Sequence, residues 1–278
     1  MTYQQYSAYG LSITATLLLM SLGEPVSAFL LVALILIAGL PHGLLDPWIY
    51  DVGISGKTSK LKRFLLIYIS MAAAVWLLWL THAATAFILF LVLSSWHFGQ
   101  DIFAGKKIWV NLQALFYGAS VIAWPFIFHT EESLSIVSYM GVDFSVGIIK
   151  PVAVIVVAIN ALALCLNPAS QSDRLEWPML AIISGCLDPL AYFTIYFCCL
   201  HSWRHYHQHA RLWQQLLNNK PLSLLILWCI SVLAFVLIMF VFWFFYTNLE
   251  AAMITTVFGL LAALTVPHMW VIWRSSDL

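Results

Sequence analysis

Nine histidines are spread over 278 residues, and five of them share an odd position. His42 in GLPHGLLD, His97 in SSWHFGQD, His201 and His205 in HSWRH, and His268 in TVPHMW each stand near one end of a long apolar run. Ionisable side chains at membrane depth are expensive and mark functional sites. His201 and His205 are four apart, which places both imidazoles on one helical face and suits a shared metal. His205 and His209 repeat that spacing, so the register is open. His207 points elsewhere on a helix and, with His209, reads as solvated or headgroup-facing. His82 and His129 stand where apolar runs end on the opposite side and read as interfacial.

Two carboxylates recur in the same device: Asp46 follows His42 by four and Asp101 follows His97 by four. Such carboxylates support metal-bound imidazoles, directly or across to a neighbouring helix. Imidazole accommodates zinc, copper, iron and nickel, and spacing does not choose among them. Four neutral histidines around an octahedral metal leave two positions open for dioxygen or substrate, an arrangement suited to non-haem Fe(II). The five cysteines (Cys165, Cys186, Cys198, Cys199, Cys229) lack paired spacing and read as reduced packing residues.

These side chains need a membrane scaffold. The chain is 63% hydrophobic and 9% charged, with a mean hydropathy of +0.92. A soluble domain carries about 25% charged residues. The expected fold is therefore all-α: a polytopic transmembrane helical bundle of eight to nine segments in one domain over residues 1–278. Apolar spans are expected at 8–22, 26–45, 63–81, 83–100, 108–128, 146–166, 177–200, 222–247 and 251–273, each near the length that crosses a bilayer. Glu24-Pro25 reads as a turn between the first two. The first apolar run lacks the basic flank of a cleaved signal and is expected to remain as a helix. Net charge is zero, which gives no reason to expect nucleic acid as a partner.

Lys57, Lys60, Lys62, Arg63, Lys106 and Lys107 orient the early helices with the N-terminus in the cytoplasm. Simple counting then puts Arg204, Arg211 and Lys220 outside. A helix broken at Asp188-Pro189 repairs the conflict, because proline ends a helix before it. The five histidines then share one depth, toward the cytoplasmic side. Trp96, Trp203, Tyr206 and Trp270 flank the histidine motifs and are the expected lining of an apolar channel.

The motifs PHGLLD (41–46), WHFGQD (96–101), HSWRH (201–205) and VPHM (266–269), in this order along nearly the whole chain, resemble the bacteriorhodopsin-related (Brp/Blh) family of membrane β-carotene 15,15′-dioxygenases. The resemblance implies an enzyme that cleaves the central double bond of β-carotene with O₂ to give two all-trans-retinal. It implies Fe(II) held by His42, His97, His201 and His205, with His268 as an additional site residue; Asp46 and Asp101 remain the supporting residues that their spacing suggests. It also implies an integral protein of a bacterial or archaeal inner membrane, with β-carotene, O₂ and the lipid bilayer as partners and a retinal-binding rhodopsin as the consumer of product. The alternatives are a haem- or carotenoid-binding membrane carrier and a di-iron membrane desaturase or hydroxylase. The latter uses about eight clustered histidines with HxxHH patterns, and this chain has no HxxHH.

Overall fold

In the computed structural model, residues 3–22, 28–50, 61–103, 107–166, 171–246 and 248–275 are described, and every regular element among them is helical. In chain order these are α1 (Tyr3–Leu22), α2 (Ala28–Leu34), a π-helical turn (Ile35–Gly39), α3 (Leu40–Gly43), α4 (Asp46–Tyr50), α5 (Leu61–Thr81), α6 (Ala83–Gln100), α7 (Ile108–Phe128), α8 (Thr130–Tyr139), α9 (Val146–Leu166) and α10 (Gln171–Cys186). There follow α11 (Pro189–Thr194), a second π-helical stretch (Ile195–His201), α12 (Ser202–Gln208), α13 (Ala210–Asn219), α14 (Pro221–Tyr246) and α15 (Leu249–Ser275).

Among the described residues, six helices are long and apolar enough to cross a membrane: α5, α6, α7, α9, α14 and α15. The other apolar helical segments, Ser7–Ser21, Ala28–Gly39 and Leu175–Cys186, are shorter. Six spans are thus shown among the described residues, and the expected eight to nine membrane segments are not confirmed. Local chemistry interrupts two of the expected segments. The expected span 26–45 changes to π geometry at Ile35 and is interrupted after Gly43. The expected span 177–200 is cut at Asp188-Pro189, where Asp188 caps α11 by accepting from the Leu190 and Ala191 amides, each at 3.0 Å. Proline at the first helical position needs no N–H there, so the pair stops one helix and starts the next. Glu24-Pro25, Lys57, Lys60 and Lys106 lie outside the described residues.

α15 is the central helix, with more than half of its apolar window buried, whereas α5 and α14 expose most of theirs. α6 and α7 approach most closely, because Ser95 and Gly99 on one face Ala114 and Gly118 on the other. A Cβ on Gly99 would strike the Ala114 backbone, and one on Gly118 would strike that of Ser95. Small residues four apart on both partners give the backbone contact that drives helix association in lipid. The C-terminal end of α8 is pinned from two sides: Trp79 Nε1 donates to the Met140 carbonyl (3.2 Å) and Thr255 Oγ1 to that of Tyr139 (2.8 Å). A polar cluster ties α7, α10 and α12 together. The fully buried Glu176 pairs with Arg204 and accepts from the Tyr117 hydroxyl at 3.0 Å.

Candidate metal centre and the cavity beside it

Four histidines from three regions of the bundle meet in its interior. His97 comes from the last turn of α6, His201 from the end of the second π stretch, His205 from α12 and His268 from α15; all four are buried. The His97 ring lies 4.8 Å from that of His201 and 5.2 Å from that of His268, and His205 lies 5.3 Å from His268. Phe98 and Phe197 wall the cluster, with ring centroids 5.0 and 5.7 Å from His201.

Each of two carboxylates holds an imidazole, and the partner in both cases lies on another element. Asp101, just past α6, places Oδ2 2.7 Å from His201 Nδ1. Asp46, the first residue of α4, places its oxygens 2.9 and 3.0 Å from His268 Nδ1 and also accepts from the Tyr68 hydroxyl at 2.8 Å. An ionised carboxylate only accepts, so Nδ1 carries the proton in each histidine and the lone pair falls on Nε2. That is the usual outer arrangement of a metal-binding imidazole.

The fit of a metal can be judged from spacing and donor chemistry. With metal–nitrogen bonds of about 2.1 Å, imidazoles in neighbouring positions have centroids roughly 4.5–5.5 Å apart. The three separations above fall within that range. Among the described residues, no group of three His, Cys, Asp or Glu side chains is placed so that it could hold a metal ion. The backbone of His42 lies in α3, which packs beside α12, but its side chain lies outside the described residues. The donors present are those that suit a divalent metal held by nitrogen.

The remaining histidines stand apart from this group in different degrees. His209 is half-buried with its ring 4.6 Å from His205, nearer to the cluster than a headgroup-facing residue would be. His207 meets Trp203 edge to face, with ring centroids 4.8 Å apart. His82 is exposed, and His129 is half-buried with Nδ1 3.5 Å from Glu132. The five cysteines are free thiols, with Cys198 buried and directed at the Leu34 carbonyl (3.6 Å).

His97, His201 and His268 open onto a predominantly apolar cavity of about 440 Å³. Its aromatic lining is Phe64, Phe87, Phe90, Phe98, Phe126, Phe193, Phe197, Phe235 and Phe258, with Tyr68, Tyr192 and Tyr196. The four expected channel aromatics, Trp96, Trp203, Tyr206 and Trp270, do not line it. On a helix Trp96 lies about 100° from His97, and Trp203 and Trp270 lie about 200° from His201 and His268, so these side chains face elsewhere, whereas Phe98, on the other side of His97, does line the cavity. Trp270 packs on Tyr50 (5.4 Å) within a separate apolar cluster, and Tyr206 is exposed. The other α6 residues that share the cavity with His97 are Ser94, Leu91, Phe90 and Phe87, reached by stepping back three or four at a time along the helix.

Comparison with known proteins agrees with the reading from motifs. Residues 33–274 match the family model described as beta-carotene 15,15′-dioxygenase. A protein of that name from uncultured marine bacterium 66A03 is 31% identical over 253 residues, covering 85% of this chain and 90% of the relative. No solved structure matches the chain. The family match spans all four histidine motifs, both supporting aspartates and the helices that carry the cavity, and the chain therefore belongs to the beta-carotene 15,15′-dioxygenase family.

Proposed function

We propose that this chain is a membrane β-carotene 15,15′-dioxygenase, cleaving the central double bond with O₂ to give two all-trans-retinal. The observation that carries the reading is the buried imidazole cluster at one side of an apolar cavity, in a chain of this family. The iron ligands proposed are His42, His97, His201 and His205, with His268 a further donor in reach of the same rings. Bound there, Fe(II) supplies the activation of dioxygen.

The residues of the chain do the rest. Asp101 and Asp46 hold the Nδ1 protons of His201 and His268 and so present Nε2 as the donor atom. Tyr68 holds Asp46 in place through its hydroxyl. The aromatic walls seat a hydrocarbon that offers no polar handle, and their dryness keeps water from the reacting carbons. Holding the double bond beside the histidines turns an encounter in the bilayer into a reaction within one complex.

The same reading makes residues 1–278 one domain, integral to a bacterial or archaeal inner membrane with its N-terminus in the cytoplasm, and makes a retinal-binding rhodopsin the natural user of the product. The test is expression in cells that accumulate β-carotene, with pigments separated by chromatography. Retinal should appear as carotene is lost, and an iron chelator should stop both. Unchanged carotene in cells holding folded protein would overturn the assignment.

A further inference from the structure

The cavity runs a definite distance from the histidines and then stops. Along α6 its lining extends from His97 back to Phe87, and along α15 from His268 back to Val257. Ten or eleven residues of helix measure about 15–16 Å. At that depth the cavity meets Phe87 together with Val137 of α8 and Met140 just past its end, all buried and all members of one apolar cluster. This wall does not float. Trp79 and Thr255 hold the Met140 and Tyr139 carbonyls from either side.

The opposite border of the cavity differs. Leu65, Ala234 and Leu264 line it and are exposed, so the cavity has a side opening between α5 and α14, above α15. The α5 and α15 members lie near the histidines, since Leu264 is one turn from His268 and Leu65 one turn from Tyr68, which bonds Asp46. The cavity is thus an arm closed at one end and open to the apolar surroundings near the imidazoles.

β-Carotene can be measured against the arm. From its central carbon to the terminal ring the polyene has nine bonds, about 11 Å at the advance of roughly 1.2 Å per bond of an extended chain, and the ring adds a further ~3 Å. Half the molecule matches the arm, while the whole is about twice too long. We propose that the closed arm is a molecular ruler: the wall of Phe87, Val137 and Met140 arrests one terminal ring, and the length of the arm then sets the 15,15′ bond beside the histidines. The second half leaves through the side opening. The proposal rests on the dioxygenase reading above and assigns Val137 and Met140 as determinants of where that enzyme cuts.

The test uses the full chain in detergent and a carotenoid with one β-ring and the other end shortened to an aldehyde, so that the two fragments differ. Cleavage adds one oxygen atom of O₂ to each carbon of the broken double bond, giving an aldehyde at an unsubstituted carbon and a ketone at a methyl-bearing one. The unaltered enzyme should release a single ringed fragment, retinal. Met140→Ala deepens the arm and should yield a ringed aldehyde two carbons longer. Val137→Phe shortens it and should yield a ringed ketone two carbons shorter, or stop turnover of ringed substrate. Retinal as the sole ringed fragment from both variants, at unaltered rates, would overturn the ruler. If neither variant folds, the unaltered enzyme still decides, because a mixture of ringed fragment lengths is incompatible with a fixed end wall. Absence of any retinal from β-carotene itself would instead remove the dioxygenase reading, and the ruler with it.

Discussion

The bond between Asp101 and His201 is the contact on which the proposed centre can be tested most directly. At 2.7 Å, with His201 almost fully buried, it is a charge-assisted hydrogen bond in an environment that water does not compensate. Asp101→Asn keeps the shape but replaces an acceptor with a group that can also donate. An amide NH₂ facing Nδ1 favours the other tautomer and moves the proton to Nε2, where it blocks ligation. A hydrogen bond to a charged group contributes about 1.5–3 kcal/mol, which at 1.4 kcal/mol per tenfold corresponds to roughly 10–150-fold in an equilibrium. Outer carboxylates of metal-bound histidines fall in a similar range, about 10–100-fold. The assay is retinal formation by purified enzyme, stripped of metal and titrated with Fe(II). Half-activation should require about one to two orders of magnitude more iron than in the unaltered protein, with partial recovery at excess. An unshifted titration with an unaltered maximum rate would refute the claim that Asp101 acts on a metal-binding imidazole.

Other expectations follow from the same contacts. Tyr68→Phe removes one neutral donor from Asp46 and should lower turnover only a few-fold, in line with about 0.5–1.5 kcal/mol. His97→Ala should abolish activity and reduce bound iron by elemental analysis, while His82→Ala, on the exposed side, should do neither. Arg204→Met leaves Glu176 as an uncompensated buried charge and should destabilise the protein by about 3–5 kcal/mol in denaturant titration; adding Glu176→Gln should recover much of it. Gly99→Ala forces a Cβ into the Ala114 backbone and should lower the yield of folded protein in detergent, because neither helix can move away without losing the contact along its whole length.

How far the sequence speaks for this structure differs from feature to feature. Membrane character is written in composition, since a chain so poor in charge has no soluble core to build. The break at Asp188-Pro189 is also legible, because a capping carboxylate followed by proline is local chemistry. His201 and His205 are read together for the same reason. The carboxylates are harder. Asp46 and Asp101 each follow a histidine by one turn, but their recorded partners are His268 and His201, 222 and 100 residues away. Spacing within a helix says which face a carboxylate occupies, and not which helix meets that face. The aromatic lining was accessible to a stricter use of helical period. Stepping back by three and four from His97 and His268 reaches Phe90, Phe87, Leu264 and Leu261, whereas the adjacent tryptophans attract attention only by proximity. The number of spans is hardest to read where π turns and short helices interrupt apolar runs, because hydrophobicity marks an apolar segment without marking its continuity.

The wide turn from Ile195 to His201 has a consequence for how such a gene can change. A π stretch holds one residue more than an α-helix would need over the same rise. Deleting a single codon within it would let the segment relax into an ordinary helix, with its backbone bonds intact and its apolar faces still plausible to the bilayer. Six α-helical residues would then cover nearly the rise and turn of the seven present, so the helices on either side would stay close to register. His205, beyond the stretch, would keep its direction, while His201, its last residue, would shift against Asp101 and His97. A substitution in the segment removes one side chain, whereas the loss of one residue of length would redraw the backbone that carries His201 and leave the rest of the helix in place.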